Sequence, residues 1–238
     1  MIRIRMPGDI YQIEDAIRNG TFHGRWHFSF GGYADAAFER FGTLRVFNDD
    51  TLSPGAVWPL HPHRDNEVVT YCAGGVFRHA DERGAGGILR KGWVQHTTVG
   101  RGMWHSEINN RPDEAMRFIQ MWFLPSELGR EPSVEQKAVE QKDRTNTILP
   151  LVSNSAHGAL RILSDAAVSS SFLLKGHAVT HRMAPGWGAY LYVLEGGPVQ
   201  VNGKPAPALA AVMIAEEQEI TVRAGDDAEL LVVDAKMS

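Results

Sequence analysis

Two short stretches carry most of the chemistry that this sequence offers. His61-Pro62-His63 sets two imidazoles at i and i+2. Gly102-Met103-Trp104-His105-Ser106-Glu107 sets an imidazole and a carboxylate at the same spacing. Residues i and i+2 of a strand face the same way. Two such strands side by side in a barrel would therefore present three imidazoles and one carboxylate to a single point. That donor set suits Fe, Ni, Cu or Zn, and on an octahedral divalent ion it leaves open positions for water, substrate or dioxygen. Five of the 10 histidines fall between His61 and His105, where chance alone would place about two. A lone His-X-His is often just a surface strand; the second pair, the clustering and the nearby glycines favour a metal.

The elements that must position these residues are mostly strands. Glu67 to Cys72 is rich in β-branched and aromatic residues, stops at Gly74-Gly75 and resumes at Val76-Phe77-Arg78-His79. Met116 to Leu124 is apolar on both faces and is expected to be covered on both. Leu44 to Phe47 is expected as a short strand ending at the turn signal Asn48-Asp49-Asp50, and Gly84-Ala85-Gly86-Gly87 as a hairpin turn. Ile10, Ile13 and Ile17 stand at helical spacing ahead of Gly20, so Asp9 to Asn19 is expected to form one amphipathic helix. Residues 128–147 are polar and break the strand pattern, which predicts a connection between domains 1–127 and 148–238. The second half is again strand-rich. Its Tyr190–Val199 echoes Val68–Phe77, a strand, a glycine pair and a returning strand, as in a weak internal duplication.

Composition removes several classes of function. Lys plus Arg is 24 and Asp plus Glu is 28, a net charge of −4, which argues against a broad basic surface for nucleic acid. The one cysteine, Cys72, excludes an intrachain disulfide and a thiolate metal cage, and its strand setting predicts a small buried hydrophobe. No apolar run is long enough to span a membrane and no leader is apparent, so a cytoplasmic monomer is expected.

The motif residues extend into a family resemblance. Gly55, His61, His63, Glu67 and Gly74 match the spacing of the first cupin motif, and Gly102, His105 and Asn109 match the end of the second, with Gly100 where that motif usually has proline. His27-Phe28-Ser29-Phe30-Gly31, Phe41-Gly42-Thr43-Leu44-Arg45-Val46-Phe47-Asn48-Asp49-Asp50, Gln95 and Gly100–Glu107 resemble pirin signatures, and the resemblance covers essentially the whole chain. It implies an all-β bicupin of two jelly-roll barrels with few short helices, and one metal, in the N-terminal barrel. Generic cupins take their carboxylate ligand from the Glu67 position, whereas pirins resemble each other in taking it from the Glu107 position. The closer family implies the ligand set His61, His63, His105 and Glu107, with Glu67 either supporting a ligand from behind or playing a structural part. Fe(II) is the favoured ion, with Ni, Cu, Mn or Zn admitted. His177 and His181 lack the paired spacing, so the second barrel is expected to hold no metal, and His181 to have a packing role.

Some bacterial pirin-like proteins are associated with quercetin 2,3-dioxygenase activity. On that resemblance, a flavonol hydroxyl and O2 would meet at the metal, with Glu107 as the catalytic base. Trp93, Trp104, Trp122, Phe118 and Met103 are candidates to line a pocket for a flat aromatic. Other pirins resemble redox-sensing regulators that bind a protein partner. A sugar-phosphate isomerase would require basic residues facing the metal, for which Arg64 and Arg101 are the nearby candidates.

Overall fold

The computed structural model describes residues 1–82, 84 and 86–237. Among these the chain is strands and connecting turns, with only three short 3₁₀ segments, Pro7–Asp9, Ala36–Phe38 and Gln141–Arg144. The strands form two units of the same plan. In the first, a seven-stranded sheet runs, in spatial order, Ser133–Lys137, Val94–Thr98, Glu67–Gly74, Met116–Phe123, Leu44–Leu52, Gly20–Trp26 and Tyr11–Ile17. A four-stranded sheet faces it, in the order Val57–His63, Met103–Ile108, Val76–Asp81 and Gly86–Arg90. The second unit also pairs a seven-stranded with a four-stranded sheet. In it Trp187–Gly196 lies where Glu67–Gly74 lies in the first, beside Ala228–Lys236 as the counterpart of Met116–Phe123. The echo in sequence is thus an echo in topology.

The two seven-stranded sheets pack against each other and hold the largest core. Phe47, Val69, Tyr71, Ile119, Met121 and Phe123 from the first meet Leu151, Val168, Tyr190, Tyr192, Leu231 and Val233 from the second, all fully buried. Each such side chain contributes about 1.5–3 kcal/mol of transfer free energy. Met116–Phe123 is accordingly buried on both faces, as its sequence predicts. Charge is buried here too. Arg117 donates both arms of its guanidinium to Asp49, at 2.8 and 2.7 Å, and Tyr192 Oη donates to the same carboxylate at 2.7 Å. Burial pushes the Asp49 carboxyl up, but the hydrogen bonds and charge of Arg117 outweigh it and leave it below the usual carboxylate range.

Three expectations about elements change. Tyr11–Ile17 is a strand, not a helix: it pairs with Gly20–Trp26 through a hairpin in which Ile17 opposes Gly20 and Asn19 takes φ 63°. Asparagine tolerates the left-handed conformation that the second loop position takes here, and cross-strand pairing overrides three isoleucines at helical spacing. The strand from Leu44 does not stop at Phe47 but continues to Leu52 through Asn48-Asp49-Asp50, because each aspartate has a buried partner. Ser133–Lys137, inside the expected connection, edges the first sheet against Val94–Thr98, and Ile2–Arg5 pairs with Ala211–Ile214 in the second unit. Val76–Asp81 and Gly86–Arg90 do pair as the Gly84–Gly87 turn signal implies, with Ala85 outside the described residues.

Candidate metal centre

The site grows from one register. Met103–Ile108 lies between Val57–His63 and Val76–Asp81, with His105 opposite His61 and Met103 opposite His63. The three imidazoles point into the barrel, while Trp104, one residue from His105, points out and is 48% exposed. One ring nitrogen from each of His61, His63 and His105 lies within 4.8 Å of the others. The register slips by one residue on the Val57–His63 side, where Trp58 rather than Pro59 opposes Glu107; Glu107 Oε1 lies 3.6 Å from His105 Nε2 and Oε2 4.0 Å from His61 Nε2.

The hydrogen bond behind His61 leaves its lone pair facing inward. His61 Nδ1 donates to the Pro59 carbonyl at 2.8 Å, so Nε2 is the unprotonated nitrogen. His105 Nδ1 lies 2.7 Å from His79 Nε2, and its Nε2 lies 3.1 Å from His61 Nε2. Freeing the His105 Nε2 lone pair puts the proton on Nδ1, which then donates to His79. His63 Nε2 is buried with no partner. Burial, reinforced by the neighbouring histidines, holds His63 down to about 3 and His105 to about 2, so both rings are neutral at any ordinary pH. Neutral imidazoles with an orphaned nitrogen among them are what a divalent cation requires. The donor set therefore fits a metal ion. Glu107 is buried and its Oε1 accepts from Gln120 Nε2 at 2.8 Å, while Gln120 Oε1 accepts from Trp122 Nε1 at 2.8 Å. That chain fixes the carboxylate's orientation.

Of its two expected roles, Glu67 takes the structural one and does not support the cluster. It accepts from His96 Nε2 at 2.7 Å and from the Leu163 amide at 3.2 Å, which ties it to the second unit. The partner of a clustered histidine is instead His79, which lies opposite Glu107 on the adjoining strand. Its place among five clustered histidines was the available signal. Asn109 donates to the carbonyls of Leu52, Ser53 and Glu114, so this motif residue fastens loops. Gly100 has φ +54°, which proline cannot adopt, and a Cβ there would run into the Arg130 carbonyl.

A pocket with about 400 Å³ of empty space, open solvent at its mouth included, opens beside the histidines. Phe30, Trp58, Phe118 and Trp122 give it aromatic walls, and Asn48, Asp50, Glu107 and Gln120 its polar groups. Trp122 stands edge-on to His63 at 4.7 Å between ring centres. Of the aromatic candidates, Phe118 and Trp122 line this pocket; Trp93 packs in the same cluster as Phe118, and Met103 in that of Trp122, behind the lining, and Trp104 faces outward. Cys72 is buried and burial pushes its thiol up to about 11, so it is unreactive. Arg64 pairs with Asp65 and Arg101 with Glu131 on exposed side chains. His181 Nε2 bonds Asp234 Oδ1 at 2.7 Å. Among the described residues, no helix is long and apolar enough to cross a membrane.

Comparison with known proteins decides the family. The pirin family model matches residues 11–123, and a quercetinase C-terminal cupin domain matches residues 151–235. A pirin-like protein of Caulobacter vibrioides is 36% identical over 219 residues, covering 91% of this chain and 94% of its own. The chain belongs to the pirin family. The quercetin 2,3-dioxygenase of Escherichia coli K12 is 34% identical to this pirin over 213 residues, covering 88% of this chain and 90% of its own. The crystal structure of the E. coli bacterial pirin YhhW in complex with nickel(II) superposes with a TM-score of 0.89 at 30% identity, covering all of both chains. The two units described above are thus the two cupin barrels of a pirin, and the histidine cluster lies in the first.

Proposed function

We propose that this pirin is a metal-dependent dioxygenase that opens a flavonol or related hydroxylated aromatic ring with O2. The observation that carries this is the convergence of His61, His63, His105 and Glu107 at the edge of an aromatic-walled pocket. In this proposal the three histidines and Glu107 hold one divalent ion, Fe(II) first among the candidates. The ion would supply positive charge for a deprotonated hydroxyl and open positions for reactants. The E. coli relative carries the name quercetin 2,3-dioxygenase, which supports the substrate class.

The side chains of this chain do the rest. Phe30, Trp58, Phe118 and Trp122 hold a flat ring and exclude water. Glu107 takes the proton of the reacting hydroxyl, and the Gln120 amide on Oε1 leaves Oε2 to receive it. His79 keeps His105 in the tautomer with a free Nε2. The test is aerobic loss of quercetin absorbance with matching O2 uptake, absent under nitrogen or after chelation. Quercetin unchanged by fully metal-loaded protein in air would refute the proposal.

A further inference from the structure

Asn48 and Asp50 take no part in holding the histidine cluster, yet both are buried and both line the pocket. They share the inward face of Leu44–Leu52, opposite Gln120 and Phe118 respectively. Asn48 Oδ1 has no hydrogen-bond partner and is only 2% exposed as a residue. A buried carbonyl oxygen left unpaired costs about 1–3 kcal/mol, so an acceptor kept at a pocket wall points to a donor brought by a ligand. Asp50 is also poised. Its Oδ1 accepts from Trp26 Nε1 at 3.1 Å, its one hydrogen bond among the described residues. The strand beside it makes room for that bond: a Cβ on Gly24, opposite Asp50, would come within 2.7 Å of both Asp50 Oδ1 and Trp26 Nε1.

We propose that Asn48 and Asp50 form a second polar subsite, which takes a hydroxyl of the aromatic substrate other than the one presented to the histidines. This rests on the function proposed above and narrows its substrate class to polyhydroxylated aromatics. A hydroxyl suits the pair because it donates once, to Asn48 Oδ1, and accepts, from a carboxylic acid. Burial and the nearby Asp49 and Glu107 charges outweigh the Trp26 hydrogen bond and push the Asp50 carboxyl up, which favours the protonated acid from which a hydroxyl oxygen accepts.

The test compares quercetin with 3-hydroxyflavone, which keeps the reacting hydroxyl and lacks the others. Binding to the holoprotein is read by tryptophan fluorescence quenching under nitrogen, for wild type, Asn48→Leu and Asp50→Leu. Wild type is expected to bind quercetin at least about tenfold tighter, since a site built for a hydroxyl rejects the analogue lacking it. Each variant should lose most of that ratio by weakening quercetin alone, with metal content unchanged. Equal affinities in wild type, a ratio that survives both substitutions, or no binding of either flavonol overturns the subsite; the first two results are those of a wall that merely holds water. Discriminating binding without O2-dependent loss of quercetin would support the subsite while refuting the dioxygenase.

Discussion

Asp50→Asn in metal-free protein should remove a pH dependence of stability. The Asp50 carboxyl is pushed from 3.8 to about 8 by burial. From pH 4 to pH 8 the folded protein therefore keeps a proton that the unfolded chain has released. Raising the pH across this window favours unfolding, and below pH 4 the group contributes no difference. At about 1.4 kcal/mol per unit the full shift is a ceiling of about 6 kcal/mol. Relaxation around the charge reduces it, and a difference of about 2–4 kcal/mol between pH 5 and pH 8 is expected. Asparagine keeps an oxygen for Trp26 Nε1 and carries no proton to lose, so the variant should gain on wild type steadily as the pH rises. His27 and His63, both held to about 3, mainly by burial, destabilise the fold in the opposite direction, as pH falls below 6.5. Their contribution is common to both proteins and cancels in the difference. Urea denaturation of the two chelator-treated proteins at pH 5, 6, 7 and 8 measures it. A difference in unfolding free energy that does not vary with pH would refute a neutral, buried Asp50.

Three further outcomes follow from specific contacts. His79→Ala removes the partner of His105 Nδ1 and should weaken metal affinity about 10–100-fold in a chelator competition, with the fold intact; unchanged affinity would deny His79 that role. Arg117→Ala removes both short charged hydrogen bonds to buried Asp49, leaving it Tyr192 and only Arg25 at 3.9 Å, and should cost about 3–5 kcal/mol in chemical denaturation; a loss under about 1 kcal/mol would mean the pair behaves as a surface ion pair. Gly24→Ala drives a methyl into the Asp50–Trp26 hydrogen bond and should cost about 1–3 kcal/mol in the same assay, whereas a neutral substitution would show that this wall yields freely.

Much of the candidate site was legible because strand alternation is rigid. His61 and His63, then His105 and Glu107, sit at i and i+2, and the period of two leaves each pair one face to occupy. What it did not disclose was the register that sets His105 against His61, or the bulge in Val57–His63 that sets Trp58 against Glu107. His79 was hidden because nothing local distinguishes a histidine that orients a ligand from one that simply packs. Asn48 and Asp50 were hidden more deeply. Asn-Asp-Asp has the composition of an exposed turn, and only the distant Arg117, Tyr192 and Trp26 allow that triplet to continue a buried strand. The N-terminal hairpin shows the same limit. Ile10, Ile13 and Ile17 fit a helix locally, while the partner strand Gly20–Trp26 is what makes Tyr11–Ile17 extended. Glu67 matched a motif position, but its hydrogen bonds to His96 and Leu163 place it at the contact between the barrels.

The most direct test of the account is the metal content of purified protein, by mass spectrometry, for wild type and His61→Ala. The account predicts close to one divalent ion per chain in wild type and its loss in the variant, with an unchanged far-ultraviolet circular dichroism spectrum. A variant that keeps its metal at the wild-type level would contradict the assignment of the histidine cluster as the metal centre.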